Sequence, residues 1–290
     1  MPVTFPYPAN NVKEQYNMAT KKAAAADEAT AVATQGTTAM ASYSGYEDME
    51  SSGFENQDNR DYALPFLTIL QGLSPQLEEN KALRQGLLFN SVTGEAFDGD
   101  EGVRFIPCAT KHSFIEYKPR KQGGGFVAEH KLDSEVVKNC LETQDFGKYT
   151  VGENELVETY QVFGIIDGED GPCHAAISFK SMAIKKFKGW MTQARTIQIQ
   201  LESGKRINAP LFSHAYRLRT IAEKNAKGSF YNWNIKFDGE NAAACRLAPD
   251  SELVQMAVAL NKVVQEDKIK VDHDSVSRSE SNSTEAETEY

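Results

Sequence analysis

The chain has 290 residues, of which 40% are hydrophobic and 10% aromatic, and it carries a formal net charge of -10. This composition is that of a globular protein with one large domain or two small ones. Because no run of about 18 apolar residues occurs and no basic stretch precedes an apolar one near Met1, we expect a cytoplasmic protein without a membrane partner.

The first 60 residues are predicted to form a disordered leader. Residues 19–45 consist almost entirely of Ala, Thr, Ser and Gly without a sustained apolar period, so they bury too little surface to offset the entropy of ordering. A further hypothesis places the start of translation at Met18, because Lys13–Glu14 is encodable as AAGGAG, a bacterial ribosome-binding sequence. Residues 1–17 are then untranslated.

Residues 61–270 are predicted to form one globular domain. The apolar run YALPFLTILQGLSP begins at Tyr62, and residues 86–97 have the pattern of two short strands around a Thr93–Gly94 turn. Strand patterns follow at 103–107 and 114–118, and a helical pattern follows at 133–143.

The second half of this domain repeats the same types of element. Strand patterns occur at 156–166 and 174–179, and Ser181 is expected to cap a helix that runs to about Arg195. Strands at 211–220 and 229–237 precede a last helix at about 250–265. The pattern predicts a mainly β, α+β domain, and we expect an OB-like barrel with appended helices.

Positive charge is concentrated in one segment of the acidic chain. Residues 177–237 contain 12 Lys and Arg against Glu202 and Glu223, a local net charge of +10, whereas residues 1–60 carry -4 and residues 271–290 carry -5. Cations that follow phosphates and aromatic rings that stack on bases together bind single strands. The predicted phosphate contacts are Lys180, Lys185, Lys186, Lys188, Arg195, Lys205, Arg206, Arg217, Arg219 and Lys236.

Three aromatic residues of the basic segment are predicted to stack on bases: Trp190, Tyr231 and Trp233. The alternative is core packing, which is the commoner role of an aromatic residue on a strand. A second basic patch, Lys118, Arg120 and Lys121, precedes the glycines 123–125, and the alternative there is a plain hairpin tip.

The last 20 residues, 271–290, are predicted to be a disordered acidic tail. Its functional residues are expected to be Glu285, Glu287, Glu289 and Tyr290, which either cover the basic surface when no strand is bound or dock on replication proteins. Deleting the tail is expected to tighten binding of nucleic acid at low salt.

The tail resembles the C-terminus of bacterial and phage single-stranded DNA-binding proteins, which is acidic, rich in Ser and ends in an aromatic residue. In those proteins the tail recruits polymerase, primase or recombination partners. Residues 64–75, 86–97 and 114–127 are also similar to a phage protein family associated with replication genes. The resemblance implies a phage-encoded replicative single-stranded DNA-binding protein.

Signatures of catalysis and of metal binding are weak in this sequence. No P-loop, GxSxG or HExxH motif occurs, and Cys108, His112, Cys140 and Cys173 lack CxxC spacing, so we expect no enzyme, no cofactor and no metal. The leading prediction is therefore a protein that coats single-stranded DNA. The alternatives are a virion structural or scaffolding protein and a recombination nuclease or strand-annealing factor, whose Mg²⁺ would bind carboxylates near 153–158 or 167–170.

Overall fold

The computed structural model describes residues 53, 64–142, 149–168, 171–226 and 228–266, without the side chain of Arg120. The chain divides into two units, residues 1–55 and 56–290, and every helix and strand below belongs to the second. The predicted leader, apart from Gly53, the hypothetical start at Met18 and the acidic tail lie outside the described residues.

Twelve strands and four helices make up the described part of the chain, which is mainly β as predicted. The strands are β1 Leu67–Ile69, β2 Leu88–Asn90, β3 Ala96–Phe97, β4 Val103–Tyr117, β5 Phe126–Lys131, β6 Tyr149–Val151, β7 Asn154–Gly168, β8 Gly171–Lys180, β9 Gln198–Gln200, β10 Arg206–Asn208, β11 Tyr216–Asn225 and β12 Gly228–Phe237. The helices are α1 Gln76–Glu79, α2 Glu135–Glu142, α3 Ala183–Thr196 and α4 Glu252–Gln265.

Two long antiparallel strands organise the main sheet. Strands β4 and β7 have 15 residues each and pair along their whole length. Near one end the strand order is β12-β11-β4-β7-β8, and near the other it is β5-β4-β7-β6. The long strands thus exchange neighbours along their length, and no pairing among the described strands closes the sheet. The predicted closed barrel is not found in this part of the chain.

One face of the main sheet is covered by α3 and by the small sheet of β1, β2 and β3. Phe187, Trp190 and Ala194 of α3 pack against sheet residues such as Phe105 and Phe179. An apolar residue every three or four positions faces the sheet, which leaves the remaining positions of the helix to solvent. This packing determines which side of α3 is available for binding.

The opposite face carries α4. Ala257 and Leu260 of this helix pack on Ile106, Phe163 and other apolar residues of the sheet. Ser251 caps the helix by accepting a hydrogen bond from the amide of Val254 at 3.4 Å. The short helix α2 lies on the same face as α3, at the other end of the sheet, where Val137 and Cys140 pack against Phe114 and Leu156.

Most predicted elements are present. The strand predicted at 211–220 starts at Tyr216, after a 3-10 turn at Leu211–Ser213, and β6 and α1 were not predicted. Three further differences occur. The strands predicted at 103–107 and 114–118 are one strand, because β7 supplies a partner to the polar residues between them. The predicted cap at Ser181 is wrong: α3 starts after Met182, no side chain caps it, and Ser181 has a φ of 46°. Strand β5 and the β9–β10 hairpin were not predicted.

Candidate nucleic-acid interface

Helix α3 exposes a row of cations, named here the basic stripe: Lys185, Lys188 and Arg195. The three residues recur at helical spacing on the side opposite Phe187, Trp190 and Ala194, and all three are exposed. They span about 15 Å along the helix, at about 1.5 Å per residue. Because α3 contains no acidic residue, the helix itself offers these cations no partner.

Lys186 and Lys188 show two ways in which this helix holds its lysines. The ammonium of Lys186 lies 2.6 Å from a carboxylate oxygen of Glu223 on β11, and the hydrogen bond from Lys186 is the main reason why the pKa of Glu223 is lowered. Lys188 lies over the ring of Tyr160 at 5.4 Å. Lys186 is therefore engaged within the protein, whereas Lys188 stays exposed.

Tyr160 beneath Lys188 belongs to a small polar cluster that was not predicted. Its ring stacks on His112 at a centroid distance of 3.9 Å, and its hydroxyl donates to Glu158 at 3.0 Å. Burial, with the contact to Glu158, raises the pKa of Tyr160 to about 12. Burial also lowers the pKa of His112, although Glu158 opposes this effect. The cluster thus presents an uncharged ring to the basic stripe at neutral pH.

The other predicted cations lie on separate elements. Lys205 and Arg206 are exposed on the β9–β10 hairpin, which follows α3 and is tied to it by the hydrogen bond from the amide of Ala209 to the carbonyl of Ile197 at 2.9 Å. Lys180 ends β8 and donates to the hydroxyl of Tyr117 at 3.0 Å. The hairpin therefore follows the helix of the basic stripe directly along the chain, whereas Lys180 belongs to another part of the sheet.

Beside α3, an open groove of about 870 Å³ crosses β11 and β12. It is lined by three of the predicted cations, Arg217, Arg219 and Lys236, and by Gln193 of α3. Arg217 and Lys236 are cross-strand neighbours, and Arg219 lies two residues along the same face. Their side chains alternate with those of Leu218 and Trp233, which pack towards α3, so the three cations project from the other face of the strands, and the groove meets α3 only at Gln193.

Carboxylates in the same groove neutralise part of this charge. Asp238 accepts a hydrogen bond from Nε of Arg217 at 2.7 Å, and Arg104 lies between Asp238 and Asp167. The Nε of Arg104 is 2.9 Å from Asp238 as an ion pair, without the alignment of a hydrogen bond. Arg104 and Asp238 were not predicted. Arg104 alternates with the core residues Val103 and Phe105 on β4, and this period of two was the signal that could have found it.

The structure corrects the expected stacking residues. Trp190 and Trp233 are only 4% exposed and lie in the hydrophobic core on the α3 face, where both contact Phe179. Rings buried to this extent have no face open to a base. Tyr231 remains half-buried, and its backbone amide and carbonyl are held by the side chain of Gln71 at 3.0 and 2.8 Å. Core packing, the alternative considered above, describes both tryptophans.

The second basic patch lies at the turn between β4 and β5. Lys118 and Lys121 are exposed, and the amide of Lys118 donates to the carbonyl of Gly125 at 3.0 Å. All three glycines of the turn have a positive φ, a conformation that favours glycine. This is the geometry of a hairpin tip, and the patch belongs to a different strand pair from the groove.

The cysteines and the histidine that were considered as metal ligands do not gather. Cys108 packs in the cluster beneath α4, Cys140 in the cluster beneath α2, and Cys173 against the α3 face. No group of three or more His, Cys, Asp or Glu side chains suited to a metal ion occurs within the described residues. In the same part of the chain, no helix is long and apolar enough to span a membrane.

Together these features define a mainly β protein with a basic helix and a charged groove that meets this helix at Gln193. Residues 33–270 match the family described as Pam3 phage gp34-like protein. Because the match covers more than half of the chain, the protein belongs to this phage-associated family. No curated protein and no solved structure matches the chain.

Proposed function

We propose that this protein binds single-stranded DNA through the basic stripe of α3, the β9–β10 hairpin and Lys236 in the adjoining groove. The observation that carries this proposal is the exposed row Lys185, Lys188 and Arg195 on a helix without a single carboxylate. Such a row repels itself unless an anionic partner is bound, and a phosphate backbone is an anion of sufficient length.

The chemistry of this surface favours contacts to phosphates over stacking of bases. Both tryptophans are in the core, so cations supply most of the binding free energy. The preference for single strands is supported by the resemblance of the acidic tail to that of single-stranded DNA-binding proteins, and membership of a phage family agrees with it. We therefore expect binding with little dependence on base sequence and a steep dependence on salt.

The test is fluorescence anisotropy of the full chain with labelled single-stranded DNA, duplex DNA and single-stranded RNA over a salt series. The variant K185A/K188A/R195A removes the basic stripe. Because each lost phosphate contact reduces the salt slope for single strands by about 0.7, the slope is expected to fall by about 2. A matched control, K81A/K138A/K262A, removes three exposed lysines on other parts of the fold and should leave the slope unchanged.

Three results would overturn the proposal. Absence of binding of the unmodified chain to all three nucleic acids removes the function itself. An equal loss in the control variant shows that net charge, and not the basic stripe, sets the affinity. Tighter binding of duplex DNA or of RNA than of single-stranded DNA assigns the surface to another nucleic acid.

A further inference from the structure

A patch of buried polar groups without partners lies on the α4 face of the main sheet. Gln161 of β7 and Ser113 of β4 are fully buried, and both polar atoms of the Gln161 amide, the hydroxyl of Ser113 and the hydroxyl of Ser178 on β8 find no hydrogen-bond partner. An unpaired buried polar group is costly, and the great majority of such groups in native proteins are satisfied. We name these three residues the polar patch.

The polar patch is continuous across three strands. Gln161 is the cross-strand neighbour of Ser178 on one side and of Lys111 on the other, and Ser113 pairs with Thr159 one row further along. Ile115 lies on the same face as Ser113 and is also fully buried, although it belongs to none of the hydrophobic clusters of the described residues. A segment that covers this face therefore has to supply both apolar side chains and hydrogen-bonding groups.

The unpaired atoms of Gln161 favour a peptide backbone as the occupant. Its amide needs one acceptor and one donor, and a polypeptide supplies both through a carbonyl and an N–H. Phosphate oxygens only accept, so they leave Oε1 unpaired. The same molecule holds an example of this pairing, because the side chain of Gln71 donates to the carbonyl of Tyr231 and accepts from its amide, at 2.8 and 3.0 Å.

The chain leaves α4 next to this face. Val264 and Gln265 line a cavity together with Lys111 and Lys131, and Lys131 is the cross-strand neighbour of Ser113. Residues 267–274 have the sequence DKIKVDHD, in which Ile269 and Val271 are two positions apart, the period of a strand with one apolar side. The segment is long enough: eight extended residues reach about 26 Å, about twice the length of β4 between Lys111 and Ile115.

We propose that residues 267–274 dock as an extended segment on the α4 face, with their backbone paired to Gln161 and with Ile269 and Val271 over Ile115. Three lysines lie around the polar patch, Lys111, Lys131 and Lys180; although Lys111 is paired with Glu129 at 2.9 Å, the sign of their charge is opposite to that of Asp272 and Asp274. The docked segment anchors the base of the acidic tail on the side of the sheet opposite α3. No residue of the basic stripe takes part, so this inference and the proposed function fail independently.

The first test compares two truncations by thermal unfolding. Removing 275–290 should leave Tm unchanged, whereas removing 267–290 should lower Tm by about 3 °C or more, because it exposes Ile115 and removes the backbone partner of Gln161. Gln161→Leu should lower Tm in the full chain and should have no effect, or a stabilising one, in the chain that ends at Glu266. Gln198→Leu, an exposed glutamine on β9, is the control.

Hydrogen exchange provides a second measurement, which can be made even if the Gln161→Leu variant does not fold. The amides of 267–274 should be protected in the full chain, and the milder Ser178→Ala should reduce that protection. The proposal would be overturned if the amides of 267–274 are unprotected. It would also be overturned if Gln161→Leu has the same effect in the full chain and in the chain that ends at Glu266, or if it raises the Tm of the full chain. If the effect of Gln161→Leu depends on deletion of residues 1–52, the leader covers this face. If the protection depends on protein concentration, a second copy covers it. Either result would also overturn the proposal.

Discussion

The two tryptophans show how a side chain that suits a binding role can be used in the core. Trp190 lies on the apolar side of α3 and Trp233 on the side of β12 that faces it, so both rings fill the space between helix and sheet. An aromatic ring contributes a large buried area and specific ring contacts there. The charged residues near Trp233 remain at the surface because successive side chains of a strand point to opposite faces, and those near Trp190 remain there because they lie on another side of the helix.

Tryptophan emission tests this placement directly, because the chain has only Trp190 and Trp233. With 4% of each ring exposed, the emission should be that of buried indole and iodide should quench it weakly until the protein unfolds. Saturating single-stranded DNA should leave the emission almost unchanged, since neither ring stacks on a base. Strong quenching by iodide, or by DNA, in the folded protein contradicts the core assignment.

Tyr160 and Tyr216 give the molecule a predictable response to alkaline pH. Burial is the main cause that raises the pKa of each phenol to about 12, above its ordinary value near 10. The folded state thus favours the protonated phenols, and this contribution to stability is complete below pH 10 and is lost as the pH rises towards 12. Chemical denaturation at pH 9 to 11.5 should show the decline, and Tyr160→Phe should make it shallower. An identical decline in the variant would exclude Tyr160 as a cause.

At the scale of elements, the long strands β4 and β7 decide how the sheet is built. A register shift between Pro107 and Ala109 lets Cys108 and Ala109 both face α4. Opposite this irregularity, Gly164 pairs with Pro107, and a Cβ atom at Gly164 would lie 2.4 Å from the carbonyl oxygen of Ile106. The glycine is therefore required by the close approach of the two strands.

Substituting Gly164 should be costly for this reason. Gly164→Ala is expected to lower the free energy of unfolding by about 2 to 3 kcal/mol, because backbone atoms cannot move aside as a flexible side chain can. Gly189→Ala is the matched control: the position lies inside α3 with no atom within 4 Å of the added Cβ, so this variant should gain about 0.5 to 1 kcal/mol. Urea denaturation measures both, and equal effects of the two substitutions would refute the steric explanation.

At the scale of the whole molecule, positive and negative side chains offset each other within single surfaces as well as between segments of the chain. The groove beside α3 combines Arg217, Arg219 and Lys236 with Glu101, Asp238 and Glu240. A groove that is nearly neutral attracts a polyanion less than the basic stripe does, and its carboxylates limit affinity. Removing a carboxylate from the groove should therefore strengthen the binding of single-stranded DNA.

Asp238→Asn should tighten binding of single-stranded DNA several-fold at low salt, because it leaves Arg104 and Arg217 with more uncompensated charge. It should also cost about 1 to 2 kcal/mol of stability, since Asp238 is 16% exposed and contacts both arginines. Glu240→Gln removes an exposed carboxylate from the same groove and should tighten binding without this loss. Weaker binding of both variants would show that DNA does not pass the groove.

The amino-acid sequence by itself determined the features that depend on local pattern: the hairpin of β2 and β3, the strands β7, β8 and β12, the helices α3 and α4, and the concentration of positive charge between residues 177 and 237. Periodicity of 2 or 3.6 residues acts over a few positions, so it can be recognised without the fold.

Only the tertiary structure decided which face of each element is covered. The continuity of β4 depends on β7, about 50 residues away, the burial of Trp233 depends on α3, and the unpaired groups around Gln161 depend on three strands meeting in register. The resemblance of the sequence to a phage protein family implied a phage-encoded protein, and the match of residues 33–270 to a phage-associated family agrees with that part of the expectation. Local pattern makes an aromatic residue equally suitable for the core and for a binding surface, and only long-range contacts decide between the two. For that reason the surface position of the cations was predicted more successfully than that of the aromatic rings.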